Sequence, residues 1–332
     1  MWLIYALGGG WGHLTRAVAL ASVAQVDRPV RVLTNSAYAS LIAAAMPALD
    51  VVMLNPCAQA ELTRRAVQRV IAECRPECLV VDTFPRGIGG ELAGVLGRLD
   101  ATKVLVHRDL NPRYVTSAGL REFVTANYDL VLVPGAGEGL ELGDLPITVA
   151  TTPWLVRSAD QLPDRSAVRS VLRLSPCDDA CILVCASGNK DELDWYGAVY
   201  SAIRELNGAA PVRVVSAERP PSCAEEHSIC YWPAMDLFGC ASVVVGGAGY
   251  NIVRECAAWG VPLVAKPWPR MYDRQELRAR NAGAHARSTI AHAPEAAAKS
   301  ALEHFERSVP EPPRFVNGAI DAVRLVARFR SN

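Results

Sequence analysis

The sequence has no excess of charge of either sign: Lys plus Arg number 34, and so do Asp plus Glu. A nucleic-acid binder carries a basic face or stripe, and no charge run of any kind occurs here, so no nucleic-acid partner is expected. Small anionic ligands stay open, because backbone amides and helix N-termini hold phosphate without net charge. Long apolar runs are missing too. The opening segment Trp2-Leu3-Ile4-Tyr5-Ala6-Leu7 is too short for a membrane span or the apolar core of a secretory leader, which implies a cytoplasmic protein. The ten cysteines form no CxxC pair. Cys177, Cys181 and Cys185 are evenly spaced and Cys74 and Cys78 repeat the interval, but no histidines accompany them, so reduced, mostly buried thiols are expected. Repeats and low-complexity tracts are likewise missing.

What is present is a sizeable core: 332 residues, of which 51% are hydrophobic and 20% charged, enough for two average domains. Short apolar, β-branched runs alternate with helix-period segments, the pattern of an α/β fold in which helices cover a parallel sheet. The first series of strands is Trp2–Leu7, Val30–Leu33, Val51–Leu54, Cys78–Val81, Lys103–Val106 and Asp129–Val133. Leu14, Ala17, Val18, Ala21 and Ala24 mark an amphipathic helix after the first of them. After Asp144-Leu145-Pro146 the rhythm loosens, and 151–165 reads as a linker. The second series is Cys181–Ala186, Val212–Val215, Ser228–Tyr231, Ser242–Val245 and Pro262–Ala265, with helices starting near Asp191, Ala234, Tyr250 and Tyr272. Pro294–Arg307 and Asn317–Arg330 read as closing helices separated by Pro310-Glu311-Pro312-Pro313. The expected division is a first α/β domain over 1–150, a second over 166–315, and a last helix within 316–332. Two such domains imply a cleft with ligands beyond the carboxyl ends of the strands.

Three motifs follow strands. Gly8-Gly9-Gly10-Trp11-Gly12-His13 lies between the first strand and the first helix. Its glycines let a ligand approach bare backbone, and His13 is placed to take a proton near neutral pH. The spacing is not G-x-G-x-x-G, no acidic ribose ligand follows at Thr34-Asn35, and no Gly-Lys-Ser/Thr occurs, so NAD and ATP fall in rank. The second motif runs Gly246-Gly247-Ala248-Gly249-Tyr250-Asn251 and on to Glu255, between a strand and a helix that stops at Gly260. Amides at that helix start suit a diphosphate, and Glu255 suits a ribose diol. The third is Trp268-Pro269-Arg270-Met271-Tyr272-Asp273-Arg274-Gln275, in which Asp273 reads as a helix N-cap with Gln275 in the first turn. Asp82-Thr83-Phe84-Pro85-Arg86 and His107-Arg108-Asp109 also end strands, and either Asp82 or Asp109 is able to orient His13. No Asp-x-Asp pair ends a strand, so no metal and no separate cofactor are expected.

Together these motifs resemble the MurG-like group of GT-B glycosyltransferases, in order and over nearly the whole chain. The resemblance implies two Rossmann-like domains with parallel sheets facing a central cleft. It implies an acceptor site in the first, with Gly10, Trp11, Gly12, Asp82, His107 and Asp109 near it and His13 as base. It implies a nucleotide-sugar site in the second, built from Ser187, Gly188, Asn189, Tyr231, Trp232, Gly247, Ala248, Gly249, Tyr250, Asn251, Glu255, Asp273 and Gln275. It further implies a nucleotide sugar, commonly a UDP-sugar, as co-substrate and a small molecule or a glycan or lipid-linked group as acceptor, so a peripheral membrane contact stays open. The loop departs from the group: Gly12-His13-Leu14-Thr15-Arg16 is similar to the Gly-His-x-x-Arg of the pseudaminic-acid-pathway nucleotide-sugar hydrolase, which uses water as acceptor. Transfer, hydrolysis and non-catalytic binding are the readings carried forward.

Overall fold

The computed structural model describes residues 1–135, 141–285, 288–307, 312–313 and 315–329. Pro310, Glu311 and Arg330, named above, lie outside them. The chain divides into two compact units: unit 1 comprises Met1–Val156, Met271–Asp273 and Val316–Asn332, and unit 2 comprises Arg157–Arg270 and Arg274–Phe315.

Unit 1 runs β1 (Trp2–Ala6), α1 (Trp11–Ala24), β2 (Val30–Thr34), α2 (Ala39–Ala45), β3 (Asp50–Met53), α3 (Ala60–Cys74), β4 (Cys78–Asp82), β5 (Thr102–Val106), α4 (Pro112–Ser117), α5 (Leu120–Asn127), β6 (Leu130–Pro134) and β7 (Thr148–Thr151). The strands pair in parallel in the order β3-β2-β1-β4-β5-β6-β7. β1, β4 and β6 are buried along their whole length, which is why they read as unbroken apolar runs rather than alternating ones. The strand order reverses between β1 and β4, with Tyr5 opposite Val81. The loop after β1 and the end of β4 therefore emerge side by side, at the switch point where open α/β sheets bind ligands.

Unit 2 repeats the plan with α6 (Arg165–Val171), β8 (Cys181–Cys185), α7 (Lys190–Leu206), β9 (Val212–Val215), β10 (Ser228–Ile229), β11 (Ala241–Gly247), α8 (Tyr250–Trp259), β12 (Leu263–Lys266), α9 (Gln275–His285), β13 (Ser288–Ile290) and α10 (Pro294–Arg307). Its parallel sheet has the order β10-β9-β8-β11-β12-β13, with the reversal between β8 and β11. The last helix, α11 (Gly318–Phe329), packs on α1, β6 and β7 in unit 1. Gly318 is required there, since a Cβ would stand 1.9 Å from the carbonyl oxygen of Thr152.

Two expectations are corrected. The segment from Ala234 to Cys240 is a 3₁₀ helix. The helix expected near Tyr272 begins at Gln275, because Asp273 bridges antiparallel to Leu110 and the Asn111 amide donates to the Tyr272 carbonyl at 3.1 Å. Asp273 thus belongs to unit 1. The stretch where the rhythm loosens holds an edge strand, β7, and a 3₁₀ turn at Ala159–Gln161 capped by Ser158. The cysteines are all free; five are buried, two half-buried, and Cys57, Cys177 and Cys230 exposed. Among the described residues no helix is long and apolar enough to cross a membrane.

Candidate functional site

In unit 1 the switch point carries a buried charged cluster. His13 sits in the first turn of α1, and its Nδ1 stands 2.5 Å from Oδ2 of Asp82, the last residue of β4. Asp82 is clamped from the other side by Arg16, whose Nε donates to Oδ1 at 2.8 Å and whose Nη2 donates to Oδ2 at 2.6 Å. Arg16 lies one helical turn beyond His13, so one face of α1 presents both groups to the same carboxylate. Its Nη2 also donates to Thr83 Oγ1 at 3.1 Å, and Arg108 Nε donates to the same hydroxyl oxygen at 3.3 Å. Arg108 in turn pairs with Asp273 at 2.9 Å. Thr83 holds this position with φ at 71°, and the Phe84 amide donates back to the Asp82 carbonyl at 2.9 Å. A β-branched residue with positive φ is strained, and such strain concentrates at functional sites.

Burial lowers the pKa of His13, and Arg108 and Arg16 act in the same direction; the hydrogen bond and charge of Asp82 oppose them without overturning the result. The imidazole is therefore neutral at pH 7. Burial alone would raise Asp82, but the Arg16 charge and the His13 hydrogen bond hold its pKa well below the carboxylate range. An ionised carboxylate only accepts, so Nδ1 carries the proton and Nε2 keeps its lone pair. The ring lies against Gly8, where a Cβ would fall 2.1 Å from its Cδ2. The loop is tied down by Asn35, whose Oδ1 accepts from the amides of Gly8 and Gly9 at 2.9 and 3.1 Å.

Of the other residues expected near it, Trp11 stacks on Tyr38 at 4.3 Å, Gly10 caps α1 without a side chain, and Gly12 is exposed. His107 is fully buried and Asp109 half-buried. Between the two carboxylates considered as partner of His13, the structure pairs it with Asp82. Phe84 stacks on His13 at 5.4 Å and meets Tyr272 and Tyr114 edge-on, an aromatic cluster no sequence period announces. A cavity of about 500 Å³ in unit 1, bounded by Ile71, Arg75, Val95 and Leu99, shares no residue with this set.

In unit 2 the loops after β8 and β11 flank the second switch point. Ser187, Gly188 and Asn189 are exposed, and Asn189 caps α7 by accepting from the Glu192 amide at 3.0 Å. Gly188 has φ at 124° and leaves room for the buried Glu192 carboxylate, which holds Arg270 in a two-point ion pair at 2.7 and 2.8 Å. At the end of β11, Gly247 and, just beyond it, Gly249 are half-buried, while the Ala248 amide donates to the Lys266 carbonyl at 3.1 Å. Gly249 caps α8 with no side chain, leaving the approach to that helix end open. Tyr250 is buried and Asn251 half-buried. Gln275 is buried, and its Oε1 accepts the Trp268 amide at 2.9 Å. Arg278 Nη1 donates to the Ala248 carbonyl at 3.0 Å, a support for the loop that the sequence motif does not include.

Glu255 lies on α8 with 7% of its surface exposed. Among the described residues no hydrogen bond or ion pair satisfies its carboxyl group, and burial followed by the charge of Asp236 raises its pKa to about 7. Asp236 itself is held by Arg157 and receives the Tyr231 hydroxyl at 3.4 Å. Tyr231 and Trp232 are half-buried just before it. A buried acid with no partner costs stability, which makes it a place for a ligand that donates hydrogen bonds. Among the described residues no cluster of His, Cys, Asp and Glu is arranged to hold a metal ion.

No family model and no curated protein sequence matches the chain. Solved structures do match it over their whole length. UDP-GlcNAc 2-epimerase from Neisseria meningitidis bound to UDP-GlcNAc superposes with a TM-score of 0.67 at 11% identity, covering 99% of each chain. S. aureus MnaA with UDP gives 0.65 at 12% identity, covering 100% of this chain and 97% of that one. The glycosyltransferase SnogD from Streptomyces nogalater gives 0.60 at 15% identity, covering 99% of each. The likeness at such identities is one of fold, and the chain has the GT-B architecture of two α/β units, each built on a parallel sheet.

Proposed function

We propose that this protein is a glycosyltransferase, of hexosyl or N-acetylhexosaminyl type, that moves a sugar from a nucleotide-sugar donor to an acceptor hydroxyl. The observation that carries the reading is the His13–Asp82 pair at 2.5 Å, buried at a strand switch point with the imidazole neutral. Nε2 takes the proton of the acceptor hydroxyl as its oxygen attacks the anomeric carbon. The bond from that carbon to the diphosphate breaks, configuration inverts, and the nucleoside diphosphate leaves with the electron pair. Asp82 stabilises the imidazolium that forms.

Unit 2 supplies the donor side. The N-terminus of α8, with Gly247 and Gly249, favours the diphosphate charge, and the Ser187-Gly188-Asn189 loop at α7 does the same. Ala248 contributes position only, since its amide already serves Lys266. Glu255 accepts the ribose hydroxyls; Gln275 keeps its amide nitrogen for a sugar hydroxyl; Tyr231 and Trp232 lie by the base. Asp273, fixed by Arg108, is kept as a sugar contact. Two of the similar structures hold UDP-GlcNAc and UDP, which supports a UDP-sugar, and a third, a spinosyn rhamnosyltransferase, is complexed with thymidine diphosphate. No metal takes part in this scheme.

A second reading, hydrolysis with water as acceptor, is favoured by the Gly12-His13-x-x-Arg16 form of the loop. Incubation with UDP-, TDP- and GDP-sugars in the presence of a chelator, with and without acceptor hydroxyl compounds, separates the two. Nucleoside diphosphate release that depends on acceptor and yields the inverted anomer supports transfer. Equal release without acceptor identifies the hydrolase, and binding without any turnover identifies a non-catalytic binder.

A further inference from the structure

The buried guanidinium of Arg16 is not needed to build α1, where an apolar side chain would fill the same space without the cost of desolvating a charge. It is 1% exposed and places two nitrogens on the two oxygens of Asp82, at 2.8 and 2.6 Å, while the second also reaches Thr83. His13 shares Oδ2 with it. The charges acting on the imidazole are Asp82 at the end of β4, Arg16 on its own helix, and Arg108 after β5, with Asp273 neutralising Arg108. Two guanidiniums and two carboxylates balance when His13 is neutral. A proton on His13 leaves this buried set with one net positive charge, whereas without Arg16 the same proton would neutralise an excess negative one.

We propose that Arg16 is a positioning residue that acts through Asp82: it fixes the carboxylate so that Nδ1 carries the ring proton, and its charge keeps Nε2 of His13 unprotonated and ready to act as base. The catalytic part of this statement rests on the transferase reading; the proton affinity of His13 does not.

The test is a ¹⁵N imidazole titration of the full chain without substrate, the His13 signals being assigned by their loss in His13→Gln. In the wild type the neutral ring is the Nδ1–H form, and it stays neutral through pH 7. In Arg16→Gln, which keeps length and polarity but removes the charge, the midpoint moves to higher pH. In Arg16→Lys, which keeps the charge, it stays with the wild type. A midpoint in Arg16→Gln that is unchanged or lower overturns the proposal, as does an Nε2–H ring in the wild type. If Arg16→Gln does not give a folded amide spectrum, Arg16→Lys still decides, because a raised midpoint there contradicts a role for the charge. In turnover, the acid limb of kcat in Arg16→Gln moves the same way, by about tenfold in rate per pH unit, with KM for the nucleotide sugar unchanged. Absence of turnover in the wild type would sink the transferase reading while leaving the titration result to stand by itself.

Discussion

Glu255 and Asp236 are neighbouring buried carboxylates of unit 2, and only one of them is neutralised. Asp236 has Arg157 within 3.2 Å and the Tyr231 hydroxyl at 3.4 Å, whereas Glu255 has no such partner among the described residues. Burial and the Asp236 charge together raise Glu255 from 4.5 to about 7.

This difference predicts a pH dependence of stability. The folded chain holds the Glu255 proton more tightly than the unfolded chain, so the stabilisation is complete below pH 4.5 and is lost as pH rises to about 7. Glu255→Gln escapes that loss. Its stability relative to the wild type, measured by denaturant unfolding, rises between these pH values by up to about 3 kcal/mol. A pH-independent difference would show that Glu255 is not buried as a charge.

The His13 shift has the opposite sign. The unfolded chain binds this proton more readily than the folded one, so stability declines as pH falls below the ordinary histidine value of about 6.5. The proposed base stays unprotonated in the same range, so kcat is expected to hold its plateau below pH 6.5 before dropping. His13→Ala lowers kcat by about 10²–10⁴-fold with nucleotide affinity intact. An unchanged rate in that variant removes His13 from the mechanism.

Gly8→Ala places a methyl group where the His13 ring now lies, 2.1 Å from Cδ2. The ring has to swing away from Asp82, and a misplacement of about 1 Å costs on the order of 10²-fold in rate. Nucleoside diphosphate binding by unit 2 stays at the wild-type level in this variant. A loss of binding together with rate would point to unfolding instead.

Gly197→Ala is expected to be a stability mutation only. Gly197 is buried on α7, and a Cβ there meets the Pro221 carbonyl oxygen at 2.0 Å, a backbone atom that cannot turn aside. The expected cost is about 1–3 kcal/mol, read as a lowered melting temperature. A melting temperature equal to that of the wild type would mean that the Pro221 loop yields freely.

The strands at the centres of both sheets are legible because residues buried on both faces form continuous apolar runs, as in Cys78–Val81 and Val243–Val245. The edge strands Thr148–Thr151 and Ser288–Ile290 are short and largely half-exposed, so they carry no such run. The glycine loops stood out because their residue types are required locally. What they bind to was hidden: Asp82 and Asp109 both follow strands, and only the register of β4 beside β1 brings Asp82 under His13. The start of α9 is hidden from the sequence for the same reason, since the pairing of Asp273 with Leu110 and Arg108 joins residues far apart in the chain. Asn35, whose residue type argues only against a dinucleotide ribose, is the residue that ties down the loop.

The proposed function requires that unit 2 bind a nucleoside diphosphate through Glu255. The most direct measurement is a thermal-shift panel with UDP, TDP, GDP, ADP and NAD on the wild type and Glu255→Ala. A ligand at about 100 times its Kd adds roughly 2.7 kcal/mol of stability. The predicted result is a clear rise with one nucleoside diphosphate, UDP first, that disappears in Glu255→Ala. A rise with NAD alone, or with none of the five, would contradict the donor site and the function built on it.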